Sequence, residues 1–180
     1  MLARQAPERL FVGVDASAAG LRDMSTRAAG AGLTNLIYVR AFIEDPPSAL
    51  VGIADRVTAI LPWGSLLAAF ARPLVPLLGN VRSLCAPGAA LTVVLGVDPD
   101  RDRAEALRLG LPALDAAHFE GALAIGYGAA GWTVASVRAL SADDLGRWPS
   151  SWAKRLAFGR PRPVFQVEAR FAARAQSPFL

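Results

Sequence analysis

Cysteine, histidine and lysine each occur only once in this chain of 180 residues, as Cys85, His118 and Lys154. A single cysteine cannot form an internal disulfide, and the absence of disulfides is typical of a reducing, cytoplasmic setting. One histidine and one cysteine cannot supply the usual ligands of a zinc site. A Ser-His-Asp triad or a Cys-His dyad would have to use His118, whose apolar helical surroundings are more typical of a core or surface histidine. The sequence therefore predicts no metal centre and no activated nucleophile.

The longest apolar run, Leu61–Leu78, is broken by Arg72, Pro73 and Pro76. In a membrane these residues would place a charge and unsatisfied backbone groups in lipid. The run is therefore predicted to be the end of a buried strand followed by a helix. The first nine residues are charged and have no apolar core, so no secretory signal is visible. We expect a cytoplasmic protein without a membrane span.

Acidic residues are nearly absent from residues 150–180, where Glu168 is the only one. The same segment carries six basic residues: Lys154, Arg155, Arg160, Arg162, Arg170 and Arg174. In residues 1–149 the two signs almost cancel. A basic region confined to one end of a chain is typical of a surface that binds a polyanion such as nucleic acid. A solvated basic tail explains the same pattern, and charge alone leaves both interpretations open.

Apolar, β-rich runs alternate with helical patterns along the chain. Strands are predicted at residues 10–14, 35–39, 56–61, 89–95, 132–139 and 163–171. Helices are predicted at residues 17–27, 66–84, 98–109, 114–125 and 141–147. Such alternation indicates an α/β fold with a mostly parallel sheet between helices. The last two strands have no long crossover helix between them, so an antiparallel edge is expected. No linker divides residues 1–180, and a single domain is predicted.

Two patterns imitate binding motifs. Gly126, Gly128 and Gly131 spell a G-x-G-x-x-G motif, but a dinucleotide loop must follow a strand and open a helix, and here a strand comes next. A turn from helix to strand explains these glycines better. The acids between Asp98 and Glu105 suggest calcium, yet the loop glycine and the terminal glutamate of a calcium loop are missing. A solvated loop is predicted there.

Asp15 and two tryptophan segments carry more information. Asp15 ends the first apolar strand, where an acid can accept hydrogen bonds from both ribose hydroxyls of a nucleoside cofactor or cap the next helix. Trp63 lies in Pro62-Trp63-Gly64-Ser65-Leu66-Leu67, after a strand, where open α/β folds bind ligands. Trp152 lies among four cations in the segment from Ser150 to Arg162. Guanidinium groups on phosphates and an aromatic face for a base are the chemistry of nucleic-acid binding, although core packing is the ordinary role of a tryptophan.

At these residues the sequence resembles the aminoglycoside-resistance 16S rRNA (adenine-1408-N1)-methyltransferases, which use S-adenosylmethionine (SAM). Five motifs carry the resemblance: Gly32-Leu33-Thr34-Asn35, Ile53-Ala54-Asp55, Pro62-Trp63-Gly64-Ser65-Leu66-Leu67, Gly110-Leu111-Pro112 and Ser151-Trp152-Ala153-Lys154-Arg155-Leu156-Ala157-Phe158-Gly159-Arg160. Their order and spacing match over essentially the whole chain. The resemblance implies a Rossmann-like SAM-dependent methyltransferase fold, the 30S ribosomal subunit as partner, and a monomer that needs no metal.

The resemblance also implies roles for individual residues. Trp63 and Trp152 match two tryptophans that sandwich a flipped adenine, and Ser150 or Ser151 matches a polar position nearby. The positions implied to bind SAM are Asp15 at the ribose, Ile43 and Glu44 near the cofactor adenine, and Leu61, Pro62 and Ser65 in the rest of the pocket. The positions implied to grip rRNA phosphates are Lys154, Arg155, Arg160 and Arg162.

Elementary chemistry agrees with these roles. Adenine N1 is inaccessible in a stacked base, so the base must be drawn out at a cost of a few kcal/mol. Two stacking faces offset that cost, since each is worth roughly 1–3 kcal/mol. Neutral N1 already has its lone pair, so methyl transfer needs no general base, and orientation can supply the catalysis.

One expected feature of the family is missing. Its members begin with a further strand and an Asp-x-Gly-x-Gly-type loop that holds the methionine end of SAM, whereas Met1 falls near the end of the first helix. We therefore expect a fold without that strand and Gly-rich loop. Either the start of the chain has been placed too late, or the strands that end near Asp15 and Leu61 close the gap by pairing directly. Two alternative functions follow: an rRNA-binding relic that does not bind SAM, and a methyltransferase of a small molecule.

Overall fold

The structure is a computed structural model, and it describes residues 2–98, 100–148, 150, 153, 155–156 and 162–171. The chain forms two compact units, Met1–Pro47 and Ser48–Leu180, and each is described by itself. Three of the predicted site residues lie outside the described residues: Trp152, Lys154 and Arg160. Ser151 lies outside them as well. The prediction of one domain over residues 1–180 stays a prediction.

The first unit is a parallel strand pair with a crossover helix. Its elements are α1 (Leu2–Gln5), β1 (Phe11–Asp15), α2 (Ala18–Gly30) and β2 (Leu36–Arg40). The two strands run from the Phe11–Leu36 pair to the Asp15–Arg40 pair. Ser17 is the N-cap of α2, because its side-chain oxygen accepts a hydrogen bond from Gly20 N at 3.2 Å.

Asn35 ties the start of the chain to β2. Its side-chain amide donates to the carbonyl oxygens of Ala3, Ala6 and Arg9 at 2.9, 3.0 and 2.9 Å. This half-buried amide therefore satisfies carbonyls at the end of α1 and in the loop before β1. The role explains why asparagine is useful at the end of the Gly32–Asn35 motif.

The second unit is a four-stranded mixed sheet covered by helices. After a 3₁₀ turn (Ser48–Leu50), its strands are β3 (Ala54–Ile60), β4 (Cys85–Gly96), β5 (Trp132–Ala139) and β6 (Val164–Phe171), in the spatial order β3-β4-β6-β5. Its helices are α3 (Gly64–Ala71), α4 (Val75–Ser83), α5 (Arg103–Leu109), α6 (Ala116–His118), a π-helical turn (Phe119–Leu123), α7 (Ala124–Ala129) and α8 (Ala142–Arg147). Strands β3 and β4 are parallel, and β6 is antiparallel to both β4 and β5.

Strand β4 is the centre of the core. Four of its side chains are fully buried: Leu91, Val93, Val94 and Leu95. The last three are consecutive, and consecutive side chains of a strand point to opposite faces, so both faces of β4 are covered. Cys85 at its start is also buried, and this burial raises the pKa of the thiol to about 11. The strand predicted at residues 89–95 is therefore the buried part of β4.

The strand predictions are confirmed, with two differences in arrangement. The strands form two sheets, and within the described part of the chain β1 pairs only with β2, and β3 only with β4. The antiparallel strand β6 inserts between β4 and β5, so the antiparallel part of the sheet is wider than one edge.

The proline-interrupted apolar run forms two helices. Helix α3 ends at Ala71, before Pro73, and Pro76 occupies the first turn of α4, where its missing N–H costs nothing. Among the described helices none is by itself long and apolar enough to cross a membrane. The pair α3 and α4 meets that test by length and composition only, with a bend of 104° between them.

Two glycines of the apparent nucleotide motif, Gly126 and Gly131, have structural explanations. Gly126 lies in α7, and a Cβ there would come within 2.6 Å of Pro73 Cβ. Gly131 adopts φ +86° in the turn that leads into β5. The interpretation as a turn from helix to strand is confirmed.

Asn35→Ala should lower the free energy of unfolding by about 1–3 kcal/mol, because carbonyl groups of the first unit lose their donor. Asn35→Asp should lower it further, since a carboxylate among three carbonyl oxygens repels them and donates nothing. Urea denaturation followed by circular dichroism measures both. Thr34→Ala, at the exposed neighbouring position, is the control. Equal stability of Asn35→Asp and the unmodified chain would contradict the assignment.

Candidate functional site

In the first unit, the residues predicted to bind the cofactor lie at the carboxyl edge of the β1–β2 pair. Asp15 is exposed at the end of β1, opposite Arg40, and its Oδ1 accepts a hydrogen bond from Ser17 N at 2.7 Å. This contact fixes the carboxylate next to the N-terminus of α2. Since Ser17 is the N-cap, Asp15 does not itself cap α2.

Ile43 and Glu44 follow at the same edge. They occupy the middle of a tight turn that Asp45 N closes by donating to Phe42 O at 3.2 Å. Ile43 is half-buried and Glu44 is exposed. Parallel strands end at the same edge of a sheet, so the turn after β2 lies next to Asp15. A carboxylate beside an apolar side chain suits a nucleoside, which has hydroxyl groups on one side and a flat base on the other.

In the second unit, the chain makes a strained turn after β3. Leu61 has φ +50°, a value that costs an L-residue with a Cβ about 1–2 kcal/mol, and Gly64 has φ +60°. The turn leads directly into α3, for which Trp63 is the N-cap residue without a side-chain cap. Trp63 is 54% exposed, and Ser65, two residues further on, is also exposed. An exposed indole at the carboxyl end of a strand is available to stack on a ligand.

One apolar cluster connects the two tryptophan segments. Its buried members are Val94, Leu140, Leu145, Ala153 and Val164, and the half-buried side chains packed against them are Ile60, Leu61, Trp148 and Leu156. Leu61 lies two residues before Trp63, and Ala153 follows Trp152. The cluster therefore holds the chain next to both predicted stacking residues against the same part of the sheet.

Ser150, predicted to be a polar group near the base, makes a local contact. Its Oγ accepts a hydrogen bond from Ala153 N at 3.3 Å. A serine oxygen that accepts from the N–H three residues later is the pattern of a helix start. A role of Ser150 at the base stays a prediction.

The two described phosphate-binding candidates differ in their surroundings. Arg155 is exposed. Arg162 is almost buried, with 11% of its side chain exposed, and its Nη1 donates to Asp102 Oδ2 at 3.2 Å. Its buried Nε has no hydrogen-bond partner among the described residues. Arg162 is thus a structural anchor in this protein, and its predicted contact with rRNA is untested.

The loop between β4 and α5 holds the partner of Arg162. Asp102 Oδ2 also accepts from Asp98 N at 2.9 Å, and Asp98 Oδ1 accepts from the backbone N–H groups of Asp100 and Arg101, both at 3.1 Å. The hydrogen bond from the backbone of Arg101 is the main reason that the pKa of Asp98 lies below its usual value. The sequence predicted a solvated loop here and missed its ion pair with Arg162. The spacing of the aspartates is the pattern of a loop whose carboxylates accept from its own backbone N–H groups. No sequence pattern indicates the partner sixty residues away.

Arg162→Gln should lower the free energy of unfolding by about 3 kcal/mol, because it leaves Asp102 almost buried without its counter-charge. Urea denaturation measures the loss, and the double variant Arg162→Gln/Asp102→Asn should be less destabilised than the sum of the single variants. Arg108→Gln is the matched control. Its ion pair with Glu105 has an arginine that is 62% exposed, so its loss should cost less than about 1 kcal/mol. If the loss of stability in the double variant equals the sum of the losses in the single variants, the ion pair between Arg162 and Asp102 does not stabilise the fold.

Comparisons with known proteins identify the family of this chain. The sequence model of the NpmA family, described as 16S rRNA (adenine(1408)-N(1))-methyltransferase, matches residues 1–171. An Escherichia coli protein of that name is 33% identical over 165 residues, covering 87% of this chain and 74% of the relative. Its counterpart from Streptoalloteichus tenebrarius is 34% identical over 166 residues, covering 89% of this chain and 75% of the relative.

Solved structures confirm the predicted fold. A mutant of the Catenulisporales acidiphilia 16S rRNA (adenine(1408)-N(1))-methyltransferase, solved with cosubstrate SAM, has a TM-score of 0.82 and 32% identity, covering 99% of this chain and 81% of that one. The aminoglycoside resistance methyltransferase NpmB1 has a TM-score of 0.77 and 35% identity, covering 95% of this chain and 80% of that one. The fold, the family model and the relatives agree, and the chain belongs to the family of 16S rRNA (adenine(1408)-N(1))-methyltransferases.

Proposed function

We propose that this protein transfers a methyl group from SAM to N1 of adenine 1408 in the 16S rRNA of the 30S subunit, and thereby gives aminoglycoside resistance. We further propose that it acts as a monomer in the cytoplasm and needs no metal. One observation carries the proposal besides family membership: an exposed indole, Trp63, follows strand β3, and the apolar cluster against which Leu61 packs also holds Ala153, the neighbour of Trp152.

Trp63 is proposed to stack on the flipped adenine, with Trp152 on the other face. A flipped base loses its stacking in the RNA, which costs a few kcal/mol, and each aromatic face returns roughly 1–3 kcal/mol. Two faces also restrict the base to one plane, and this orientation of N1 is what methyl transfer requires. The strained turn at Leu61 supports this role, because strain in a backbone is retained where the surrounding structure over-determines it.

The described residues fit SAM by their chemistry. Asp15 offers an exposed carboxylate for the ribose hydroxyls, and Ile43 offers an apolar surface for the adenine. Glu44, Leu61, Pro62 and Ser65 complete the proposed set. When bound, SAM supplies an electrophilic methyl group. The acceptor N1 has a free lone pair, so the protein has to orient the base and exclude water rather than remove a proton.

Cations on the Ser150–Arg162 segment are proposed to bind the rRNA backbone. Arg155 is exposed and can reach a phosphate, and Lys154 and Arg160 are the other candidates. Arg162 completes the proposed set, although its Nη1 is held by Asp102. Phosphate contacts position the enzyme on the subunit, and the stacked base specifies the target.

The test uses 30S subunits that lack methylation at this adenine. After incubation with the protein and SAM, primer extension should stop next to adenine 1408, because a methyl group on N1 blocks base pairing. Isothermal titration calorimetry with SAM is run in parallel. Absence of a stop together with SAM binding would exclude this substrate and favour a small-molecule acceptor. Absence of both would favour the rRNA-binding relic.

Trp63→Ala should lower the rate of methylation by about 10- to 100-fold, because the base loses one stacking face. Trp63→Phe should recover part of the rate, since an aromatic face remains. Stability should change little, because the indole is half exposed. Single-turnover methylation of 30S subunits measures the rates, and Ile125→Ala, which truncates a side chain that is 73% exposed on α7, is the control. Full activity of Trp63→Ala on 30S subunits would contradict the stacking role.

A further inference from the structure

The turn that presents Trp63 depends on the conformation of Leu61. Among the described residues Leu61 is the only one other than glycine with a positive φ. Proline follows it, and a residue before proline is restricted further. Its conformation therefore has to be imposed by contacts made elsewhere in the sheet.

Two contacts from β4 hold Leu61 in place. Its N–H donates to Val94 O at 2.9 Å, which continues the β3–β4 ladder by one residue. Its side chain packs against the apolar cluster that contains Val94 and Val164. The isobutyl group of Leu61 then lies over Gly96, the last residue of β4.

A side chain at Gly96 is excluded by the close neighbours of this residue and not by its backbone conformation. Its φ is not positive, so a side chain would cause no strain in its own conformation. A Cβ at this position would lie 2.8 Å from Leu61 Cδ2 and 3.2 Å from Val164 Cγ2. Real Cβ atoms do not approach carbon atoms at 2.8 Å, so the side chain of Leu61 would have to shift. Gly96 is buried and pairs with Val164 in the sheet, so it cannot move away instead.

We propose that Gly96 is a positioning residue of the active site: by leaving room for Leu61 it sets the left-handed turn that aims Trp63. Leu61, Pro62 and Trp63 are consecutive, and the proline ring restricts the backbone between the two side chains. A shift at Leu61 is therefore transmitted to Trp63. The role in methylation depends on the proposed function, whereas the effect on the orientation of Trp63 does not.

Fluorine NMR of protein labelled with 5-fluorotryptophan tests the orientation directly. Comparison with Trp63→Phe assigns the Trp63 resonance. Gly96→Ala should shift this resonance and leave that of Trp132 unchanged, because Trp132 is buried and its Nε1 donates to Leu78 O at 3.2 Å. Gly128→Ala is the matched control, since a Cβ there meets nothing within 4 Å.

A double-mutant cycle identifies the cause. In the background of Leu61→Ala the contact with Cδ2 is gone, so Gly96→Ala should shift the Trp63 resonance less than in the unmodified chain. If Gly96→Ala fails to fold, Leu61→Ala alone carries the test, because loss of its packing should also move the Trp63 resonance. An unchanged Trp63 resonance in the folded variants would overturn the proposal, since it means that Leu61 changes rotamer without moving the turn.

Activity gives a second measurement. Gly96→Ala should lower kcat for methylation of 30S subunits about tenfold while the Kd for the subunit changes less than twofold, because phosphate contacts dominate binding. An unchanged kcat together with a shifted resonance would overturn the active-site role of Gly96. If the unmodified chain does not methylate the subunit, the proposed function fails, and the fluorine spectra still decide whether Gly96 positions Trp63.

Discussion

Parallel pairing of β3 with β4, sealed by the apolar cluster at its carboxyl end, is the constraint on which the candidate site depends. The ladder continues one residue past β3, from Leu61 N to Val94 O, and so carries the strained turn into the core. The cluster includes Ala153 and Leu156 as well. The hydrophobic effect has no preferred direction, but close packing restricts the side chains of the cluster to defined positions. Two stretches of chain about ninety residues apart in sequence are thereby held to the same part of one sheet.

A polar anchor works beside the apolar one. Arg162, just before β6, is held by Asp102 in the loop after β4, and that loop is organised by Asp98. The segment from Ser150 to Arg162 is thus attached at one end by Ala153 and Leu156 in the cluster and at the other by an almost buried ion pair. Attachment at both ends suits a segment proposed to carry a stacking face and phosphate-binding cations. In the proposed reaction the protein orients the base and removes no proton, so the site needs firm support more than it needs acid–base groups.

Much of this arrangement was predicted from periodicity and local signals. The strand at Trp132–Ala139 and the helix at Ala142–Arg147 are local features, and such features can be predicted from neighbouring residues alone. The antiparallel relation of β5 and β6 followed from the absence of a crossover helix between them. The position of β6 between β4 and β5 was not predicted, because strand order depends on which faces pack together and not on any single stretch of chain.

By itself the sequence determined the class of the fold, its family through a set of spaced motifs, and the residue types available to the site. Only the tertiary structure decided how these residues are supported. It revealed that Asp102 holds Arg162, and that a Cβ at Gly96 would come within 2.8 Å of Leu61 Cδ2. Both are contacts between residues distant in sequence, and their partners are chosen by the packing of the sheet. No pattern within a short window records such a choice, since a buried glycine and a loop aspartate look ordinary until their neighbours are known.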